Sequence, residues 1–192
     1  MNICVYGASS PKINEKYIRV GEKLGAKIAL NGYGLVFGAG ARGMMGAVAR
    51  GAYKNNGDII GIVPSFFDVD GALFENCTEM IKTKDMRERK TLLENKSDAF
   101  IITPGGIGTL DEFFEILTLK QLARHNKPMI IFNSFGYYDD MINMLYHFVD
   151  EKYLFESTVK ELIYITDDID DAINYIKNYN YEKIIPQKYK DI

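Results

Sequence analysis

The sequence predicts an α/β fold, a single doubly wound parallel sheet with helices on both faces. Two observations carry that expectation. Short apolar runs alternate with longer segments of helical period along the whole chain, and most of the runs are apolar throughout rather than alternating with polar residues. Strands covered on both faces read this way, and repeated strand–helix units with right-handed crossovers build a parallel sheet. At 192 residues, 47% hydrophobic and 26% charged, the chain fits one globular domain. Its expected extent is residues 1–180, with a polar tail at 181–192.

Ile3–Tyr6 reads as the first buried strand. Tyr17, Val20, Leu24 and Ile28 recur at helical spacing, which places a helix over Asn14–Leu30. Strand Leu35–Phe37 and helix Met44–Lys54 follow, then strand Ile59–Val63, ended by Pro64. Residues 64–78 show neither period and read as a loop. Glu79–Thr83 is a short strand and Met86–Asn95 a helix. Ala99–Thr103 is an apolar strand running into Pro104, followed by a patterned helix over Leu110–Arg124. Strand Met129–Phe132, helix Tyr138–Lys152, strand Leu162–Thr166 and helix Ile169–Tyr179 complete the expected order.

The net charge of -3 shows no nucleic-acid footprint, so an anionic ligand is left to a few local cations and backbone N–H groups. Cys4 and Cys77 are the only cysteines, which leaves no disulfide framework and no zinc spacing. Cys4 sits in an apolar run and reads as a small buried hydrophobe. The start of the chain is a strand and a small-residue turn, without the charged and apolar regions of a secretory signal. No run approaches the ~18 apolar residues of a membrane helix. The expectation is a soluble cytoplasmic protein with neither a membrane nor a nucleic-acid partner.

Ligands of open parallel sheets bind beyond the carboxyl ends of the strands, and three turns rich in small residues fall there. The first is Gly7-Ala8-Ser9-Ser10, whose backbone and hydroxyls can face a ligand, although packing alone also favours such a turn. The second, Gly38-Ala39-Gly40-Ala41-Arg42-Gly43, is a literal G-x-G-x-x-G, but it follows the second strand rather than the first, and Asp58 is a loose match for the ribose-binding acid. The third, Thr103-Pro104-Gly105-Gly106-Ile107-Gly108-Thr109, opens straight into a helix. Unpaired N–H groups and the helix dipole favour an anion there, whether or not Thr109 also serves as the N-cap. No Gly-Lys-Ser/Thr follows, so it is not a P-loop.

Asp111, Glu112 and Glu115 crowd the first turns of that helix. Carboxylates there complement the dipole, yet one beside a bound phosphate is unfavourable unless chemistry uses it, as base or as partner of a developing cation. In Asp85-Met86-Arg87-Glu88-Arg89-Lys90, three cations open a helix against its dipole. A solvated face explains them, and so does a phosphate, which arginine binds bidentately. His125 and His147 have no ligand or triad partner at sensible spacing and read as helix-surface or interface residues. No G-x-S-x-G supports a nucleophile system.

Pro104-Gly105-Gly106-Ile107-Gly108-Thr109-Leu110-Asp111-Glu112 resembles the P-G-G-x-G-T-x-x-E signature of the LOG (Lonely Guy) family, cytokinin riboside 5′-monophosphate phosphoribohydrolases often labelled lysine decarboxylase-like. Met86-Arg87-Glu88-Arg89-Lys90 resembles the companion M-H-x-R-K motif, and Gly38–Gly46 the family's glycine turn. The likeness runs to about Thr166. It implies a Rossmann-like fold, usually dimeric, that binds AMP-like nucleotides. It also implies that Gly105, Gly106, Gly108 and Thr109 hold a 5′-phosphate and that Arg89 and Glu112 are the catalytic pair. The wider substrate-binding set takes in Gly7, Ser9, Ser10, Gly38, Gly40, Gly43, Met86, Lys90, Pro104, Ile107, Asp111 and Thr118. Arg87, Ala39 and Asp111 depart from the family's usual His, Gly and Glu.

The expected reaction is hydrolysis of an N-glycosidic bond, with no metal and no cofactor. Pyridoxal phosphate chemistry would need a marked Schiff-base lysine. Two other readings stay open: a nicotinamide-dependent oxidoreductase built on Gly38–Gly43, and a non-enzymatic nucleotide sensor or carrier. A homodimer is expected, with Phe113, Phe114, Met141 and Met144 as faces to be buried in the core or between copies.

Overall fold

In the first strand, β1 (Asn2–Tyr6), Ile3 and Val5 enter one apolar layer while Cys4 and Tyr6 enter another. A strand whose alternate residues are both buried must lie between two layers of helices. The computed structural model describes residues 1–67, 71–154 and 156–181, with side chains of 156–158 left aside. Of the expected loop and tail, residues 68–70 and 182–192 lie outside the described residues.

The order continues with α1 (Glu15–Leu30), β2 (Gly34–Phe37), α2 (Gly43–Lys54), β3 (Ile59–Pro64), β4 (Glu79–Thr83), α3 (Met86–Asn95) and β5 (Ala99–Ile102). Then come α4 (Ile107–Gln121), β6 (Met129–Phe132), α5 (Asp139–Asp150), α6 (Glu156–Leu162), β7 (Tyr164–Thr166) and α7 (Ile169–Lys177). The strands form one sheet in the order β4-β3-β2-β1-β5-β6-β7, and every pairing is parallel. Leu24 and Ile28 of α1, Met44 and Val48 of α2, and Ile173 and Ile176 of α7 pack on one face. Leu93 of α3, Phe113 and Ile116 of α4, and Leu145 of α5 pack on the other. This is the doubly wound, Rossmann-like sheet, and its winding reverses between β1 and β5.

Short polar side chains fix the helix starts. Asn14 accepts from the Lys16 N–H at 2.9 Å, Asp85 from Arg87 and Glu88 at 3.0 and 2.9 Å, and Asp168 from Asp171 at 2.8 Å. Each such cap satisfies N–H groups that the helix itself leaves unpaired. In α3 the Glu88 carboxylate also accepts from the Lys84 N–H at 2.8 Å. The cations at that end are therefore offset by Asp85 and Glu88, and no bound anion is needed to explain the helix.

Several boundaries differ from expectation. Helix α4 begins at Ile107, with Gly106 as an extended N-cap, so Thr109 lies within the first turn and does not cap it. The same helix ends at Gln121, and Ala123 turns the chain with φ +54°. His125 thus lies beyond the helix, partly buried, rather than on its surface. The last strand starts at Tyr164, because Leu162 belongs to α6. Asp58 immediately precedes β3, at the amino end of the sheet, with its carbonyl accepting from the Leu35 N–H at 2.8 Å. It is at the wrong end to meet a ribose at the carboxyl ends.

Candidate active site

The parallel register brings the ends of β1 and β5 level, Tyr6 beside Ile102, so the first and third glycine turns leave the sheet side by side. Thr103 donates both its N–H and its hydroxyl to the Tyr6 carbonyl at 2.9 and 2.8 Å, and the Ala8 N–H donates to the Pro104 carbonyl at 3.1 Å. The second turn joins them through the Met45 N–H, which donates to the Ala8 carbonyl at 3.1 Å. Gly43 makes that approach possible. Its φ is +61°, and a β-carbon there would stand 2.5 and 2.7 Å from the Ala8 and Ser10 carbonyl oxygens.

Beyond these turns lies a cleft of about 740 Å³. It opens at the carboxyl ends of β1, β2, β3 and β5, beside the switch point where doubly wound sheets bind ligands. At one end is the start of α4. The first intrahelical bond runs from the Leu110 N–H to the Gly106 carbonyl at 3.0 Å. The N–H groups of Ile107, Gly108 and Thr109 therefore precede the ladder, where the dipole favours an anion. The turn is braced from behind: the Tyr137 hydroxyl donates to the Gly105 carbonyl at 2.9 Å, and the Tyr138 hydroxyl to the Thr103 carbonyl at 2.8 Å.

Arg89 of α3 and Glu112 of α4 meet on the cleft wall. Nη1 of Arg89 lies 2.5 Å from Oε1 of Glu112, with the residues 8% and 9% exposed. Nε of Arg89 donates to the Ile62 carbonyl at 3.2 Å. Burial pushes the Glu112 carboxyl above its ordinary range, and the Arg89 guanidinium pulls it back toward the ionised form. The net direction is upward, because desolvation outweighs the pair. A buried carboxylate held in this way can act as a proton acceptor and can face a developing cation at short range.

The cleft gathers Gly7, Ser9, Ser10, Gly38, Gly40, Met86, Arg89, Gly106, Gly108, Thr109, Asp111 and Glu112. Other residues named from the sequence sit behind it or elsewhere. Gly43, Pro104 and Gly105 shape the turns and do not line the cleft. Lys90 of α3 is engaged by Asp111 at 3.2 Å and by Glu115, so its charge is spent between α3 and α4. Ile107 is 89% exposed and shares an outer groove with Thr118, whose hydroxyl donates to the Phe114 carbonyl at 2.7 Å.

The cleft also uses residues that periodicity did not mark. Arg42 lay inside the second glycine turn, so its place in the motif was a usable signal. Pro64, Phe67, Ala72 and Leu73 form a wall from the stretch read only as a loop. That wall is held by long-range pairing: the Phe74 N–H donates to the Ala39 carbonyl at 2.8 Å and the Ala41 N–H to the Ala72 carbonyl at 2.9 Å. No local period encodes such a contact.

A β-carbon at Gly38 would overlap Nη2 of Arg89, so the open side of this glycine is filled by that guanidinium. Among the described residues no lysine lines the cleft, so a pyridoxal phosphate Schiff base has no partner there. The described residues also contain no group of three or more His, Cys, Asp or Glu placed to hold a metal.

Sheet order and crevice together define a Rossmann-like α/β protein with its cleft beside the β1/β5 switch point. The chain belongs to the LOG family: the family model described as "possible lysine decarboxylase" matches residues 45–176. It is 34% identical over 178 residues to a cytokinin riboside 5′-monophosphate phosphoribohydrolase of Rhodococcoides fascians, covering 92% of this chain and 89% of that one. A protein of the same name from Mycobacterium tuberculosis is 34% identical over 89% of this chain and 90% of its own. Among solved structures, a structural-genomics target is similar with a TM-score of 0.70 and 25% identity, covering 92% and 98% of the two chains. A molybdenum cofactor carrier protein of Chlamydomonas reinhardtii has a TM-score of 0.69 at 21% identity, covering 92% and 95%, and is a likeness of fold alone.

Proposed function

We propose that this chain hydrolyses the bond between base and ribose in a nucleoside 5′-monophosphate. The observation that carries the reading is the buried Arg89–Glu112 pair on the wall of a cleft that ends at the start of α4. Glu112 stands five residues into α4 beyond Ile107, about 7.5 Å along the axis. A 5′-phosphate at Ile107–Thr109 would extend its ribose toward that carboxylate. A carboxylate so near a phosphate hinders binding, so its place is accounted for by chemistry.

In the proposed reaction the C1′–N bond breaks and its electron pair leaves with the base, which takes up a proton. The Glu112 carboxylate faces the oxocarbenium-like carbon and accepts a proton from the water whose oxygen bonds to C1′. Arg89 keeps Glu112 ionised and aimed. The sum is nucleotide plus water giving free base plus ribose 5-phosphate, with no metal or redox cofactor in any step.

Three strand spacings separate β5 from β3, about 14 Å, so the base would reach the walls formed by Val63, Pro64, Phe67 and Leu73. These apolar surfaces suit a purine with an apolar N6 substituent at least as well as AMP itself. A second copy of the chain covering the exposed outer face of α4 belongs to the same reading, as does a cytoplasmic location. No helix among the described residues is long and apolar enough to cross a membrane.

Incubation of the purified protein with AMP and with N6-isopentenyl AMP, followed by chromatography for free base and ribose 5-phosphate, tests the proposal. Release of both products supports it, and the rate ratio reports the preferred base. Tight binding without release would move the chain to the carrier reading.

A further inference from the structure

We propose that Gly38 is the positioning residue for Arg89: its missing side chain leaves the seat that holds the guanidinium against Glu112. The inference rests on the reading of Arg89 and Glu112 as the acting pair. The glycines of the second turn are not alike. Gly43 is required by its left-handed backbone and by the Ala8 and Ser10 carbonyls, and a β-carbon at Gly46 would strike the Ala41 carbonyl. At Gly38 the backbone is in an ordinary region. The atoms a β-carbon would meet are side-chain ends: Nη2 of Arg89, overlapped outright, and Sδ of Met45 at 3.2 Å. Glycine is needed there for the sake of a side chain from helix α3.

Arg89 has little room to yield elsewhere. Its Nε is bound to the Ile62 carbonyl of β3, its Nη1 to Glu112 of α4, and the residue is 8% exposed. A methyl group at residue 38 would drive the guanidinium toward the cleft and break one or both bonds. Glu112 would then stay buried with Lys90 and Asp111 as its charged neighbours and Tyr6 and Cys4 beneath it on β1. The backbone around the turn would be unmoved.

Gly38→Ala is the test, read by two NMR signals that need no turnover: the Arg89 Nε–H and the Glu112 carboxyl carbon. The expected variant is folded, with the Nε–H losing its protection from exchange and the carboxyl titrating at higher pH. Its kcat is expected to fall roughly 100-fold, as misplaced catalytic groups do, with KM little changed. In an Arg89→Ala background the same Gly38→Ala change should cost no further activity. Unchanged Arg89 and Glu112 signals, or an equal loss of kcat in the Arg89→Ala background, would overturn the proposal. If Gly38→Ala does not fold but the double variant does, the overlap with Arg89 is shown directly; if neither folds, the backbone itself needs glycine and the proposal fails. The NMR signals decide positioning even if the wild type hydrolyses no nucleotide, so failure of the catalytic reading appears separately, as absent turnover.

Discussion

Nη1 of Arg89 lies 2.5 Å from Oε1 of Glu112, although the two residues come from different helices and neither is more than a tenth exposed. Taking both ions out of water carries a desolvation penalty that can equal their attraction, so such a pair is weak evidence for stability but breaking it is costly. Arg89→Met leaves the Glu112 carboxylate buried without its partner, at about 3 kcal/mol near pH 8. The pH dependence follows from the upward direction of the Glu112 shift from 4.5. The folded state holds that proton more tightly than the unfolded one, so stability is lost as pH rises from 4.5 through the raised value. Below 4.5 the cost of the unpaired carboxylate is absent. Denaturant midpoints at pH 4 and pH 8 should show Arg89→Met much closer to wild type at the lower pH.

Lys90 gives the opposite expectation. Its side chain is 19% exposed and is held by Asp111 and Glu115, both exposed at the surface. Pairs of this kind contribute about 1 kcal/mol or less. Lys90→Met should cost no more than that, and nucleotide affinity measured by calorimetry should stay near the wild-type value. A large loss of affinity would return Lys90 to the ligand.

His125 predicts acid sensitivity. Its Nε2 meets the Ile116 carbonyl at 2.9 Å, and its Nδ1 accepts from the Lys127 N–H at 3.2 Å. These partners demand a neutral ring with the proton on Nε2, because a proton on Nδ1 would face a donor. Burial accordingly lowers its pKa from 6.5 to about 4. The unfolded chain binds the extra proton first, so stability falls as pH drops through 6.5, and the loss is complete below about 4. In His125→Asn, thermal melts between pH 7 and pH 4 should show a shallower decline than in wild type.

Ala39 occupies a left-handed position, φ +61°, and is fully buried. Replacement by glycine relieves strain of about 1–2 kcal/mol. It also loses a buried methyl worth about 0.8 kcal/mol and adds about 0.5–1 kcal/mol of unfolded-chain freedom. The terms nearly cancel, so Ala39→Gly should move the urea midpoint by less than about 0.5 kcal/mol equivalent. A larger stabilisation would show that the alanine is held under strain for another reason.

Much of this fold was legible because the central strands of a doubly wound sheet are buried on both faces and must be apolar, as in Ile3–Tyr6 and Met129–Phe132. Boundaries set by tertiary contacts were not. The short helix α6 runs to Leu162, whose carbonyl accepts from the buried Lys120 ammonium at 2.9 Å, a partner 42 residues away. The start of α4 was misplaced by three residues because Thr109 looks like a cap, whereas the extended Gly106 serves as one. In the site, Arg89 and Glu112 were readable as motif residues and as a pair, but the Ile62 carbonyl that anchors Arg89 was not. The wall at Ala72–Leu73 and the use of Gly38 as a seat depend on segments distant in the chain, and no spacing announces them.

The most direct measurement is base release from AMP and N6-isopentenyl AMP by the wild type and by Glu112→Gln, with nucleotide affinity measured on both. Stoichiometric base and ribose 5-phosphate are expected from the wild type, and none from Glu112→Gln, which still binds the nucleotide. Equal turnover by the two proteins, or binding without release by the wild type, would contradict it.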